Sequence, residues 1–209
     1  GAVRRLEALS RSARRDDGLW IAELAGPGGK RTRVRARAIV NATGPWVKHV
    51  RDAITQAPAR ENVRHVKGSH IVVPRVHRED HAYILQNADK RIVFVIPYQE
   101  QFSLIGTTDV PVEAFEHPEI SDEETAYLLD IANAYLARPL ARSDVVWTFS
   151  GVRPLYDDGA SDPSSITRDY VFKLDAQSDG RRGAPVLSIF GGKLTTYRNL
   201  AEQVVDFVV

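Results

Sequence analysis

The chain has 209 residues, 43% apolar and 26% charged, enough for one domain or two small ones with a substantial core. It has no cysteine, which excludes disulfides, thiolate metal sites and cysteine nucleophiles, and its apolar runs are far too short to span a membrane. The net charge of +1 hides an asymmetry: residues 1–60 carry 13 Lys and Arg against 5 Asp and Glu, so the rest is acidic. A basic end can serve nucleic acid, but Arg31, Arg33, Arg35 and Arg37 alternate with Thr32, Val34, Ala36 and Ala38, the period of a strand with one solvated face. No aromatic residues interleave with them, so nucleic acid is not expected as a partner. There is no methionine, and the opening GAVRRLEALSRSARR is basic without the apolar core of a leader; a piece starting inside a longer protein is expected.

In chain order, residues 18–25 read as a strand, Gly26-Pro27-Gly28-Gly29 as a turn and 31–41 as the returning strand of a hairpin. Pro45 then suits the first turn of a short helix reaching about Ile54. Residues 64–73 form a strand stopped by Pro74, and 91–97 and 101–106 pair around Tyr98-Gln99-Glu100. Ser121 and Glu124 make a capping box, followed by a helical stripe of Tyr127, Leu128, Ile131 and Tyr135 that ends near Pro139. Residues 144–153, 168–174 and 185–190 read as strands, and 175–184 as a polar loop. A helix from about Lys193 closes the chain, with Tyr197, Leu200, Ala201, Val204 and Val208 on one face. The plan is α+β with a largely antiparallel sheet.

Several chemical signatures are absent. There is no nucleophile elbow and no Walker A loop, and Gly26–Arg31 lacks the third glycine and the strand-to-helix setting of a dinucleotide loop. His77 and His81 stand in the order H-R-E-D-H in a loop after Pro74, not in H-E-x-x-H, so no metal is expected. What remains are two strand-to-helix turns and three cations. Asn41-Ala42-Thr43-Gly44-Pro45-Trp46 supplies small residues that let the backbone approach a ligand. Gly191-Gly192-Lys193-Leu194-Thr195 leads a buried strand into a helix start, where free N–H groups favour an anion or a carbonyl with developing negative charge. Arg153 and Arg168 each border a strand, and arginine suits bidentate phosphate or carboxylate recognition.

Together VNATGPW (40–46), KGSHIVVPRVH (67–77), AYILQN (82–87), KRIVFVIPY (90–98), IGTTDV (105–110), WTFSGVRPL (147–155), ITRDY (166–170) and FGGKLTTYR (190–198) resemble the aerobic, flavin-linked glycerol-3-phosphate dehydrogenases of the D-amino-acid-oxidase-like flavoprotein superfamily. The resemblance implies a Rossmann-like FAD-binding domain interrupted by a substrate domain on an antiparallel sheet. Residues 1–59 would be a partial FAD-binding domain, 60–180 the substrate domain and 181–209 the returning strand and helix. Ala42, Thr43, Gly44, Trp46, Gly191, Gly192, Lys193, Leu194 and Thr195 would line the FAD site. Arg153, Arg168 and Lys193 would face the substrate, glycerol 3-phosphate. The implied reaction is hydride transfer from C2 to FAD, with electrons passed to a quinone by an enzyme held peripherally at the cytoplasmic face of the membrane; the resemblance also admits a homodimer.

For the proton, Arg153 is expected to stabilise the developing alkoxide rather than act as the base, because a guanidinium does not deprotonate in proteins. His70 is the candidate base. Two alternatives stand beside this: an oxidase of the same superfamily acting on an amino acid, or a ligand-binding module without catalysis in the isolated chain. The family's glycine-rich diphosphate loop is not among these residues. The purified 209-residue chain is therefore expected to be inactive and nearly colourless; a stoichiometric flavin band in its visible spectrum would refute this.

Overall fold

The computed structural model describes residues 8–14, 18–55, 62–157, 169–175 and 184–208, with only the backbone described for 8–14 and 27. They form two compact units, Gly1–Val63 with Pro154–Val209, and Arg64–Arg153.

In the first unit, β1 (Ala8–Arg14), β2 (Trp20–Ala25) and β3 (Arg31–Ala36) form an antiparallel sheet in the order β1-β2-β3. The arginines of β3 are exposed and its intervening residues are half-buried, as the alternation predicts. The Gly-rich turn joins two antiparallel strands, so it has no helix to offer a phosphate. The expected strand 31–41 is in fact two. It breaks after Ala36, and β4 (Ile39–Asn41) enters a different sheet, pairing in parallel with β12 (Val186–Phe190). β11 (Val171–Asp175) pairs antiparallel on the other side of β12. The second boundary therefore falls at 153/154 rather than near 180, because β11 belongs to the sheet of β4 and β12.

All of β12 is buried, which identifies it as a strand covered on both faces. Val186 packs with Trp20, Ala184 and Ile54 of α1 (Val47–Thr55). Leu187 and Ile189 pack against Leu200 and Val204 of α3 (Tyr197–Val208). Of the expected stripe on α3, Leu200 and Val204 face this core, while Tyr197 and Val208 stay exposed. The Trp20 indole N–H donates to the Pro185 carbonyl (3.1 Å), satisfying the polar edge of a large buried ring. A bidentate pair from Arg51 to Asp175 (2.6 and 2.7 Å) ties α1 to β11.

The second unit is built on one antiparallel sheet in the order β10-β5-β8-β7-β6. Its strands are β5 (Asn62–Pro74), β6 (Tyr83–Gln86), β7 (Ile92–Tyr98), β8 (Phe102–Gly106) and β10 (Trp147–Asp157); the short β9 (Val110–Pro111) also pairs with β5. The strand β6 has a four-residue signal too short to be distinguished from a loop in sequence. Period-2 alternation sends Ile71, Val73, Leu85, Val93, Val95 and Ile105 to one face, where Leu128, Leu129 and Ala132 of α2 (Asp122–Asn133) cover them. The helix stops at Asn133, so Tyr135 lies beyond it; its hydroxyl donates to the Gln86 carbonyl.

One charged group is embedded in this face. The capping box is present, with Ser121 and Glu124 satisfying each other's backbone N–H groups. Glu124 does more than cap. Its carboxylate is 7% exposed and accepts from Ser69 Oγ (2.9 Å) and Thr108 Oγ1 (2.6 Å), and it pairs with Lys67 Nζ (2.8 Å). Burial pushes this carboxyl up. Hydrogen bonds from Lys67, Thr108, Ser69 and the Ser121 backbone outweigh that and hold it below the ordinary value near 4.5.

Because the folded pKa is depressed, the stabilisation is complete above the unfolded value and is lost as pH falls through the folded one. Glu124→Ala removes the counter-charge of the half-buried Lys67 and the shared acceptor of Ser69 and Thr108, and should cost about 1–3 kcal/mol in urea unfolding at neutral pH. The same variant should flatten the acid side of the stability–pH curve below about pH 4.5. A change under about 1 kcal/mol would contradict the assignment.

Candidate active site

Two groups of predicted residues gather, one in each unit. In the first unit, β4 and β12 run parallel with Ser188 opposite Asn41, so their carboxyl ends lie side by side. Ala42-Thr43-Gly44 leaves one end and Gly191-Gly192-Lys193 the other, and each turn enters a helix through a short 3-10 segment. Ligands of open α/β sheets bind beyond the carboxyl ends of the strands, where N–H groups at helix starts are free.

Asn41 holds this edge together from inside. Its buried amide donates to the Val47 carbonyl (2.8 Å) and the Ser188 hydroxyl (3.3 Å), and accepts from Thr43 Oγ1 (2.8 Å). Gly191 has φ +75°, and a side chain there would strike the Asp169 carbonyl at 2.7 Å, so this turn requires glycine. Outward, Ala42, Thr43, Gly192, Lys193 and Thr195 are exposed, Trp46 is 44% exposed and Leu194 is 88% exposed. Such an uncovered rim of small and apolar residues with helix-start N–H groups fits a planar, partly anionic ring such as flavin. Arg168 lies outside the described residues.

In the second unit, the face of the sheet away from α2 carries the other group. Phe94, Gly106 and His70 stand opposite one another across β7, β8 and β5. A Cβ on Gly106 would lie 2.2 Å from His70 Cδ2, so the imidazole lies flat over the glycine. Phe149 of β10 stacks on it, with ring centroids 4.8 Å apart and planes at 7°. His70 Nδ1 is buried without a partner. Burial and the nearby positive charge of Arg153 lower the imidazole's pKa, so the ring is neutral at physiological pH.

Arg153 extends along the same face. Nη1 donates to Asp109 Oδ1 (2.5 Å) and Nη2 to Thr107 Oγ1 (3.3 Å). The arginine and aspartate side chains are 38% and 35% exposed. Sequence reasoning missed Asp109 and Gly68, although the polar run Thr107-Thr108-Asp109 straight after a buried strand was a signal for the former. A recess of about 390 Å³ lined by His77, Tyr83, Leu85 and Tyr135 opens on the α2 side; it has no Lys or Arg in its lining and is separate from Arg153.

A family model described as FAD dependent oxidoreductase matches residues 3–198. The chain is 52% identical over 197 residues to the aerobic glycerol-3-phosphate dehydrogenase of Escherichia coli (strain K12), covering 93% of this chain and 39% of the relative. It is 48% identical to the D-erythritol 1-phosphate dehydrogenase of Brucella abortus (strain 2308), covering 92% and 38%. The structure of the glycerol-3-phosphate dehydrogenase from Bacillus halodurans complexed with FAD superposes with a TM-score of 0.73 at 27% identity, covering 98% of this chain and 38% of that one. The chain thus spans about two-fifths of the length of these relatives.

The glycine contacts are directly testable. Gly106→Ala must expel His70 from its stack and should cost about 1–3 kcal/mol by thermal or urea unfolding. Gly151→Ala on β10, where a Cβ meets nothing within 4 Å, should stay within about 0.5 kcal/mol of the parent. Equal effects of the two would show that His70 is not seated by Gly106.

Proposed function

The chain belongs to the family of FAD-dependent oxidoreductases, and we propose that it supplies the substrate face and part of the flavin cradle of an enzyme that oxidises sn-glycerol 3-phosphate to dihydroxyacetone phosphate. The observation that carries this is the half-exposed guanidinium of Arg153, held beside a neutral imidazole on a sheet face opened by two glycines. FAD, when bound, supplies the acceptor for the hydride leaving C2, and in the full-length protein the electrons go on to a quinone at the membrane surface. No helix among the described residues is long and apolar enough to cross a membrane.

Each residue has a definite task in this reading. Arg153 stabilises negative charge that develops on the C2 oxygen as its proton leaves. Neutral His70 receives that proton through Nε2, since Nδ1 is buried. Its lowered pKa keeps the base form available through neutral pH, while the adjacent arginine disfavours the protonated product, so the proton must pass quickly to solvent. Lys193 and Arg168 bind the phosphate as cations. Gly191, Gly192, Leu194 and Thr195, with Ala42, Thr43, Gly44 and Trp46, hold the flavin ring.

A second polyol phosphate is favoured by one finding: the Brucella relative named for D-erythritol 1-phosphate is nearly as similar as the glycerol-3-phosphate enzymes. Both substrates present a phosphate and a secondary alcohol, so the cations serve either. In the full-length, FAD-loaded protein, Arg153→Ala and Lys193→Ala should each lower kcat/KM for glycerol 3-phosphate by about 100-fold or more, a typical loss for one preorganised donor. Near-normal values in both would refute the reading. Turnover of D-erythritol 1-phosphate or of amino acids above that of glycerol 3-phosphate would reassign the substrate.

A further inference from the structure

We propose that Asp109 is a positioning residue for this reaction: it fixes the Arg153 guanidinium in a cradle completed by Thr107 and Gly68, and so sets the direction in which that charge meets substrate. The inference rests on the reading of Arg153 just given.

Three elements converge on one guanidinium. From β10, Arg153 presents Nη1 to Asp109 Oδ1 and Nη2 to Thr107 Oγ1. The Thr107 hydroxyl donates its own proton to the Thr108 carbonyl (3.1 Å), which leaves its oxygen as the acceptor that the arginine requires. From β5, Gly68 makes room: a Cβ there would lie 2.6 Å from both Arg153 Nη2 and Thr107 Oγ1. The guanidinium is thereby fixed in plane and in rotation, with Nε–H and one N–H on each terminal nitrogen still to offer.

The charge balance argues for orientation over affinity. An arginine meant only to attract a phosphate gains nothing from a carboxylate at 2.5 Å, which cancels most of its field. An arginine that must donate to one oxygen in the transition state gains from being held still, because misplacement by about 1 Å can cost 100-fold. Removal of the carboxylate should therefore slow turnover without weakening anion binding.

The test uses Asp109→Asn, Asp109→Glu, Arg153→Ala and the double variant Asp109→Asn/Arg153→Ala in the full-length, FAD-loaded protein. Asp109→Asn should lower kcat at least tenfold, while KM for glycerol 3-phosphate holds or falls and inorganic phosphate, titrated calorimetrically, binds at least as tightly as in the parent. Asp109→Glu should recover part of kcat. Added guanidinium should restore measurable turnover to Arg153→Ala and none to the double variant. A kcat within twofold of the parent in Asp109→Asn, or a fall in kcat matched by a rise in KM and a lowered Tm, would overturn the proposal. Should Asp109→Asn not fold, Asp109→Glu carries the same split: kcat down with KM held supports positioning, and unchanged kcat refutes it. Near-normal turnover of Arg153→Ala would instead sink the underlying reading.

Discussion

Glu124 is ionised, buried and met by side chains from two neighbouring segments, and the geometry of the larger sheet follows from satisfying it. Lys67 and Ser69 reach it from β5, Thr108 from the segment after β8, and Ser69 in turn meets Ser150 of β10 at 2.8 Å. Because side chains alternate across a sheet, fixing these residues on one face fixes their neighbours on the other. Ser69 sets Gly68 and His70, and Ser150 sets Phe149 and Gly151, while Thr108 anchors the short link after β8 that carries Thr107 and Asp109. A one-residue slip would bury the cations and expose the core. The carboxylate beneath the sheet thus acts as a register pin for the residues above it.

The first unit solves an analogous problem with a neutral group. Its two parallel strands must end together if the turns that follow are to form one rim. Asn41 spans that gap, bonding the start of α1, the side chain of Ser188 on β12 and the hydroxyl of Thr43 in its own turn. An amide suits the position because it donates and accepts at once, so nothing buried is left unmatched and no charge is desolvated. The rim itself is free to be glycine-rich and exposed, since its anchoring lies one residue deeper.

Local signals in the sequence survive well. The solvated arginine strand, the capping box, the hairpin around Tyr98 and the buried strand before Gly191 all rest on spacing within a few residues. What could not be read depends on which strands become neighbours. The strand expected over 31–41 breaks because β4 finds β12 some 150 positions later in the chain, a pairing that no local pattern encodes. Glu124 was legible as a helix cap but not as a buried ion, because Lys67, Ser69 and Thr108 are distant in sequence. Gly68 and Gly106 look like ordinary strand glycines until their cross-strand partners, Arg153 and His70, are in place. Of the candidate site, Arg153 and His70 do come to lie on one face, and the two turns do come to lie side by side; Asp109, which binds the arginine directly, carried only the weak signal of a polar run.

Two of the second unit's ion pairs show how one sheet can be rigid and chemically available at once. Lys67 and Glu124 are 12% and 7% exposed, so little water screens them and separating them costs more than separating a surface pair. Arg153 and Asp109 are 38% and 35% exposed; water screens that pair, and its net worth to stability is about 1 kcal/mol or less. The first pair is therefore the more costly of the two to rearrange. The second can exchange part of its hydrogen bonding for an incoming oxygen at small cost, and the fixed strands around it return it to the same place afterwards. A charge that is easy to engage but hard to misplace is what the role proposed for Arg153 requires, and in this sheet the two properties come from different faces of the same strands.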